Sequence, residues 1–258
     1  MRNKLLPYTE EIIEKYNNGI GSSLLGKEYN CTHKTITLLL KKNNILIRGS
    51  KRLINHNPFK NLNDNEVQYW LGYIIADGNL FDKRISLFQT EKDIDVLHKY
   101  CNFLNISYNN IKKKKLQNPN WDNCYSVRFG NLETYHFLKS IGITENKSHT
   151  VNITIPITFP LLRGLLEGDG HFSIKKINTI KIILTTASIY LCNQVSSFLI
   201  KNNIKNSIYF NNGCYQIYTT SQENTRKLIK LIYPENCYPY NNRKYNKALS
   251  MLINNPKK

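Results

Sequence analysis

The alternation of apolar and polar positions divides the chain into a short helical segment and a longer region that repeats itself. Within the first fifty residues, apolar positions recur at helical spacing in three stretches, with Thr9 expected to cap the first helix and Thr32 the third. The second and third stretches, about residues 22–29 and 32–43, are joined by a tight turn, which is typical of a helix-turn-helix. An ordinary three-helix bundle has the same periodicity.

The remainder of the chain contains one order of elements twice. Each half opens with a largely apolar helix, begun by Asn63 in the first half and by Thr158 in the second. Helices and β-prone stretches then follow as αββαββα in both halves. The β-prone stretches are residues 84–89, 125–129, 180–185 and 215–219, and the amphipathic helices are residues 93–104, 132–141, 189–200 and 222–232.

This pattern predicts an α+β fold with two related subdomains and a small all-α domain before them. The predicted boundaries are residues 1–49 for the helix-turn-helix, 50–62 for a basic linker, 63–155 for the first repeat and 156–258 for the second.

Each repeat's opening helix ends in an Asp-Gly pair, at Asp77 and Asp169, 92 residues apart. Both helices carry small residues four positions apart, at Gly72 and Ala76 and at Gly164 and Gly168. That spacing places the small residues on one helix face, where two backbones can approach closely. Two aspartates brought together at the negative ends of two helix dipoles repel each other, and a divalent cation that prefers oxygen ligands would offset that repulsion.

These residues resemble the LAGLIDADG homing endonuclease family, in its form with two motifs in one chain, over about residues 63–258. The resemblance implies two saddles of antiparallel sheet on DNA, with the motif helices as the central interface. It implies a site-specific, metal-dependent phosphodiesterase that cuts both strands across the minor groove and leaves short 3′ overhangs. The metal would be Mg²⁺, with Mn²⁺ as an alternative, held by Asp77, Asp169 and the carbonyls of Ala76 and Gly168.

The resemblance also implies a lysine from each half beside the metal, and Lys147 and Lys244 match those positions. They would organise water or offset charge on the phosphate, although lysines that only contact phosphate would give the same pattern. Gln89 ends a β-prone stretch where the family often has a polar residue near the solvent network, with a looser counterpart around Thr185.

Two other polar residues near the motifs lack a counterpart in the first repeat. Glu167 is matched by Ile75, so we expect Glu167 to be structural or to tune local charge rather than to bind metal. His171 is matched by Asn79, which favours a structural role for His171 over that of a general base.

The charge of the chain indicates its partner. Thirty-six Lys and Arg against 18 Asp and Glu give a net charge of +18, which favours a nucleic acid as partner, although a basic ribosomal or structural binding protein would have the same charge. The resemblance implies that this partner is double-stranded DNA. The expected DNA contacts in the amino-terminal segment and linker are His33, Lys34, Thr37, Lys41, Arg48, Lys51 and Arg52. Residues 112–115, all lysine, are expected to lie in a hairpin or strand edge that contacts phosphate.

A single chain with two unlike halves is expected to act as a monomer on a long, non-palindromic target, because strand positions that would read bases differ between the repeats. Two alternatives remain open. An RNA maturase that binds intron RNA would keep the same motifs, and a non-cleaving DNA-binding regulator would depend mainly on the helix-turn-helix.

The sequence contains no apolar stretch near the roughly 18–20 residues of a membrane span, so no membrane partner is expected. The amino terminus lacks the apolar core of a secretion signal. Six cysteines without a CxxC pair are expected to be free thiols in a reducing, intracellular compartment, either the cytoplasm or an organelle matrix.

Overall fold

A computed structural model describes residues 5–18, 20–45, 54, 56–114, 122–174 and 179–253. The chain divides into two compact units, Met1–Lys51 and Arg52–Lys258. Within the described ranges, no helix is long and apolar enough to cross a membrane. All six cysteines are unpaired, as their spacing predicts.

The first unit contains three helices, α1 (Thr9–Asn17), α2 (Ser22–Glu28) and α3 (His33–Lys42). Their apolar faces enclose a small core of Ile12, Tyr16, Leu25, Ile36 and Leu40. Thr32 caps α3 by accepting a hydrogen bond from the Thr35 amide, as predicted. The prediction for Thr9 is wrong, because a 3-10 turn runs directly into α1 and the Thr9 hydroxyl donates backwards to the Leu5 carbonyl.

The second unit contains the predicted αββαββα order twice. The first repeat consists of α4 (Asn65–Asp77), β1 (Gly78–Phe81), β2 (Arg84–Thr90), α5 (Ile94–Phe103), β3 (Lys112–Lys113), β4 (Cys124–Gly130) and α6 (Leu132–Ser140). The second repeat consists of α7 (Phe159–Asp169), β5 (Gly170–Ile174), β6 (Ile180–Thr186), α8 (Ile189–Lys201), β7 (Asn206–Asn211), β8 (Cys214–Thr219) and α9 (Gln222–Ile232). A further helix, α10 (Asn242–Ile253), follows α9 in the second half of the unit.

Each repeat forms one antiparallel sheet of four strands, in the order β1-β2-β4-β3 and β5-β6-β8-β7. Alternate residues of a strand face the helices, and in β6 this places Ile180, Ile182 and Leu184 in the core. The other face of each sheet includes polar and charged side chains, such as Ser86 and Arg128 in the first sheet and Lys181 and Thr185 in the second. The α+β class predicted from the sequence is therefore confirmed.

The two motif helices begin with side-chain caps. Thr158 accepts a hydrogen bond from the Leu161 amide and so caps α7, as predicted. The cap of α4 is Asp64 rather than Asn63, because the Asp64 carboxylate accepts the Glu66 amide at 2.8 Å. Both residues have side chains suited to capping, and the sequence signal placed the helix start one residue early.

Helices α4 and α7 pack backbone to backbone at two glycines. A Cβ atom on Gly72 would lie 2.0 Å from the Leu161 carbonyl oxygen, and one on Gly164 would lie 2.1 Å from the Tyr69 carbonyl oxygen. No side chain larger than hydrogen fits at either position without moving a helix. The close approach predicted from the small residues is thus confirmed, and it places the carboxyl ends of both helices together.

Candidate active site

The two motif aspartates lie at the adjacent carboxyl ends of α4 and α7. A Cβ atom on Gly168 would lie 2.2 Å from the Ala76 Cβ and 3.4 Å from Oδ2 of Asp77. Gly168 and Ala76 directly precede Asp169 and Asp77. The contact between Gly168 and Ala76 therefore holds the two carboxylates in one cleft. The chain then turns at once into β1 and β5, whose first residues are the glycines that follow each aspartate.

One lysine from each repeat reaches the end of its own motif helix. The Lys147 ammonium donates to the Ala76 carbonyl at 3.1 Å. The Lys244 ammonium donates to the carbonyls of Gly168 at 2.8 Å and Gly170 at 2.9 Å. Both lysines are only 9% exposed. The structure therefore brings Lys147 and Lys244 to the two carbonyls that the resemblance assigned to the metal.

Burial in this cleft shifts the pKa of each charged group, and the neighbouring charges modify the shift. Burial and the neighbouring charge of Asp77 raise the pKa of Asp169 to about 6, although part of the residue is open to solvent. Burial raises the pKa of Asp77, against the lowering effect of a hydrogen bond from Gln89. Burial also lowers the pKa of Lys147 and of Lys244, against the opposing attraction of the aspartates.

Gln89 contacts only one of the two aspartates. Its Nε2 atom donates to Oδ2 of Asp77 at 2.6 Å. The strand register shows which residue of the second repeat corresponds to Gln89. Gln89 lies two residues after Leu87, the strand partner of Gly78. The residue two after Leu184, the strand partner of Gly170, is Thr186, one position later than the expected Thr185. Thr186 accepts the Ser188 amide at the start of α8 instead of approaching Asp169. The site is therefore asymmetric at this position.

An ion pair between Arg243 and Asp93 at the cleft could not be predicted from the sequence. Arg243 donates from Nε to Oδ1 of Asp93 at 2.9 Å and from Nη2 to Oδ2 at 2.7 Å. Burial alone would raise the pKa of Asp93, but the hydrogen bonds from Arg243 leave it lowered. The pair joins the segment before α5 in the first repeat to α10 in the second. Sequence reasoning missed it because 150 positions separate its two members.

Comparison with known proteins supports the fold. Residues 158–233 match the family model for a LAGLIDADG-like domain. The second repeat is thus similar in sequence to a LAGLIDADG-like domain. No curated protein sequence matches the chain.

Three solved structures show how far the LAGLIDADG fold extends along the chain. The meganuclease I-AabMI bound to uncleaved DNA aligns with a TM-score of 0.51 and 12% identity over 74% of this chain and 89% of its own. The homing endonuclease I-WcaI bound to its DNA recognition sequence aligns with 0.52 and 16% identity over 70% and 85%. The meganuclease I-SmaMI bound to DNA aligns with 0.50 and 13% identity over 72% and 87%. The chain therefore has the LAGLIDADG meganuclease fold.

The LAGLIDADG cleft has the donors that a hard divalent cation requires. Asp77 and Asp169 supply carboxylate oxygens, and the effect of one charge on the pKa of the other is the repulsion that a cation would offset. No group of three or more His, Cys, Asp or Glu able to hold a metal occurs among the described residues. The remaining ligands would be main-chain carbonyls, water and substrate oxygens, a donor set that Mg²⁺ accepts.

The other polar residues singled out in the sequence lie at separate places. His171 and Asn79 occupy matching exposed positions on β5 and β1. Lys112 and Lys113 form the exposed edge strand β3. Lys115 lies outside the described residues.

The predicted DNA contacts of the amino-terminal unit are on α3. His33, Lys34 and Lys41 are exposed there, and Thr37 is half-buried with its hydroxyl donating to the His33 carbonyl. Three further predicted contacts, Arg48, Lys51 and Arg52, lie outside the described residues.

Proposed function

We propose that this chain is a site-specific DNA endonuclease that uses a divalent metal, Mg²⁺ or Mn²⁺, to cut both strands across the minor groove and leave short 3′ overhangs. The observation that carries the proposal is the pair of aspartates on helices whose glycines let the backbones touch, each aspartate adjoining a carbonyl bound by its own lysine. A protein that only bound DNA would gain nothing from holding two mutually repelling carboxylates in one cleft.

The chemistry would divide between metal and protein. A bound cation would lower the pKa of water and polarise the scissile phosphate, with Asp77, Asp169 and the carbonyls of Ala76 and Gly168 as its protein ligands. Gln89 would fix the orientation of the Asp77 carboxylate through the hydrogen bond already present. Each buried lysine would donate to water or to phosphate oxygen as negative charge develops.

The outer faces of the two sheets support a long, non-palindromic target. Arg128 of β4 and Tyr218 of β8 occupy matching positions in the two sheets. Arg128 pairs with Ser86, the residue before the strand partner of Gly78, and Tyr218 pairs with Ile183, the residue before the strand partner of Gly170. The strand registers also match Lys112 of β3 with Tyr209 of β7. A cation in one half is thus replaced by a tyrosine in the other. Two sheets with different side chains would read different half-sites, so one chain would suffice as a monomer.

The amino-terminal unit would supply additional DNA contacts. Helix α3 presents the exposed side chains of His33, Lys34 and Lys41, and it follows α2 after a short turn over a small core. These features support the proposal that α2 and α3 act as a helix-turn-helix. Such a helix can enter the major groove and contact bases or phosphates.

The test is cleavage of plasmid DNA that carries the insertion site of the protein's own gene, with Mg²⁺. Wild-type protein should give linear DNA, whereas Asp77→Asn and Asp169→Asn should bind the DNA and give none. Asp82→Asn is a matched control, because Asp82 is exposed in the β1–β2 turn, at a positive φ that asparagine also accepts. Metal-dependent linearisation by the Asp77→Asn, Asp169→Asn double variant would exclude the proposed site. Binding to intron RNA without DNA cleavage would instead favour the maturase.

A further inference from the structure

Glu167 is a buried carboxylate next to the site, and the proposed cleavage chemistry does not use it. It is 1% exposed and lies in the last turn of α7. Its carboxylate accepts three hydrogen bonds, from the hydroxyls of Tyr69 at 2.6 Å and Tyr233 at 2.7 Å and from the backbone amide of Asn241 at 2.6 Å. The side chain therefore ties the other motif helix and the segment before α10 to the end of α7.

The contact with Asn241 leads directly to a site lysine. Asn241 is fully buried and immediately precedes α10. Its side-chain oxygen accepts the amide of Lys244 at 3.0 Å, the bond that an N-cap makes three residues into a helix. Lys244 is thus held in the first turn of α10 by Asn241, whose own amide is held by Glu167. From that turn the Lys244 ammonium reaches the Gly168 carbonyl beside Asp169.

The described residues of the first repeat contain no equivalent of this connection. Ile75 occupies the position of Glu167 in α4 and has no carboxylate. Lys147 lies in the turn region of residues 145–150, where its own carbonyl accepts the amides of Thr150 and Val151. Local backbone bonds therefore hold Lys147 in place, whereas a side chain on the motif helix itself helps to hold Lys244.

We propose that Glu167 is a positioning residue for Lys244 and for that lysine alone, acting through Asn241 and the first turn of α10. The inference rests on the proposed function for its consequence, which is that loss of Glu167 impairs the cutting of one DNA strand. It does not rest on that function for the positioning itself. The hydrogen-bond donors to the Glu167 carboxylate are Tyr69, Tyr233 and Asn241, and none of these three is assigned to DNA or metal in the proposed function.

The first measurement is independent of cleavage. Full-length protein is briefly acetylated with a lysine-specific reagent, and the extent at each lysine is read by mass spectrometry. Lys244 should be protected in the wild type and become severalfold more reactive in Glu167→Leu, while Lys147 in the same molecule stays protected. Glu167→Gln should keep Lys244 protected, because the amide oxygen can still accept from Asn241.

Two further variants separate positioning from general loosening of the core. Tyr233→Phe removes one donor to the Glu167 carboxylate but leaves the Asn241 contact, so Lys244 should stay protected. Asn241→Ala removes the cap while leaving the carboxylate in place, so Lys244 should become reactive even if Glu167→Leu does not fold. Equal gains in reactivity at Lys147 and Lys244, or no gain at Lys244 in Asn241→Ala, would overturn the proposal.

The second measurement is strand-resolved cleavage of an end-labelled target. Glu167→Leu should slow hydrolysis of the strand that Lys244→Met slows, by about tenfold or more, because small displacements of a site group cost rates of that order. The other strand, which Lys147→Met slows, should be cut at nearly the wild-type rate, so nicked DNA accumulates. Equal slowing of both strands would contradict the inference. Absence of any wild-type cleavage would reject the proposed function and leave the acetylation result to decide the role of Glu167.

Discussion

Replacing Gly72 or Gly164 by alanine tests the contact that brings the two aspartates together. The added Cβ would lie 2.0 Å from the Leu161 carbonyl oxygen in the first case and 2.1 Å from the Tyr69 carbonyl oxygen in the second. Carbon–oxygen contacts between packed backbones are normally about 3.3–3.6 Å. Because the opposing atoms belong to helix backbones, no side-chain rotation relieves the clash, and α4 and α7 must separate by roughly 1 Å.

Two effects of opposite sign decide the outcome. Helix propensity favours alanine over glycine by about 1 kcal/mol. Overpacking of a close-packed interface costs about 1–3 kcal/mol, and sometimes more. A gap of about 1 Å along the rest of the interface also removes up to roughly half of the dispersion energy between the atoms it separates. Because the clash is severe, we take the upper overpacking figure of about 3 kcal/mol; less about 1 kcal/mol of helix propensity, each alanine should lower the free energy of unfolding by about 2 kcal/mol or more.

The assay is urea unfolding followed by tryptophan fluorescence, because Trp70 is fully buried beside Tyr69 and Tyr73. Gly130→Ala in β4 is the matched control, since its Cβ would meet nothing nearer than the Lys83 carbonyl at 3.8 Å. The control should change the unfolding free energy by less than about 0.5 kcal/mol. The packing argument is refuted if Gly72→Ala or Gly164→Ala is as stable as the wild type or more stable.

Three further predictions concern pH, the target and the amino-terminal unit. Burial raises the pKa of Glu167 from 4.5 to about 7, so the stabilisation that this group contributes is present below pH 4.5 and is lost as the pH rises to 7. Without metal, the free energy of unfolding of Glu167→Gln should therefore change by about 3 kcal/mol less than that of the wild type between these two pH values. Selection from a random DNA library should return a site without two-fold symmetry, and a perfect palindrome would contradict two unlike halves. Removal of residues 1–52 should shorten the protected DNA at one end and reduce the slope of log affinity against log salt by about 0.9 for each phosphate that the truncated protein no longer neutralises. Identical footprints and slopes for full-length and truncated protein would exclude a DNA-binding role for the amino-terminal unit.

The sequence predicted those parts of the fold that depend on local periodicity or on the duplication. The motif helices, the inner strands β2, β4, β6 and β8 and the helices between them all have apolar residues at regular spacing, and their bounds are correct to within a residue or two. The αββαββα order implies the outer strands β1, β5 and β7 without locating them, and β3 was expected only as a hairpin or strand edge within residues 112–115. They are short or largely polar, and their pairing with a neighbouring strand defines them.

The candidate site was predictable where both repeats share a residue type and not where they differ. Asp77 and Asp169 stand out because each ends a matching helix. Glu167 could be matched only with Ile75, and such a comparison gives no information about Tyr233 or Asn241, which approach it from distant parts of the chain. Helix α10 was also missed, because it has no partner in the first repeat.

The difference between the two halves has a physical basis in the helix interface. A contact between two related backbones is reciprocal: Gly72 must be small for α7 to approach, and Gly164 must be small for α4 to approach. Residues outside the interface are not constrained in this pairwise way, so they can differ between the two repeats. Gln89 therefore holds Asp77 while nothing equivalent among the described residues holds Asp169, and a carboxylate fixes the surroundings of Lys244 but not those of Lys147. The interface keeps the two aspartates side by side. If the chain cleaves DNA as proposed, the residues that differ between the halves would cause the two strands to be cut at different rates.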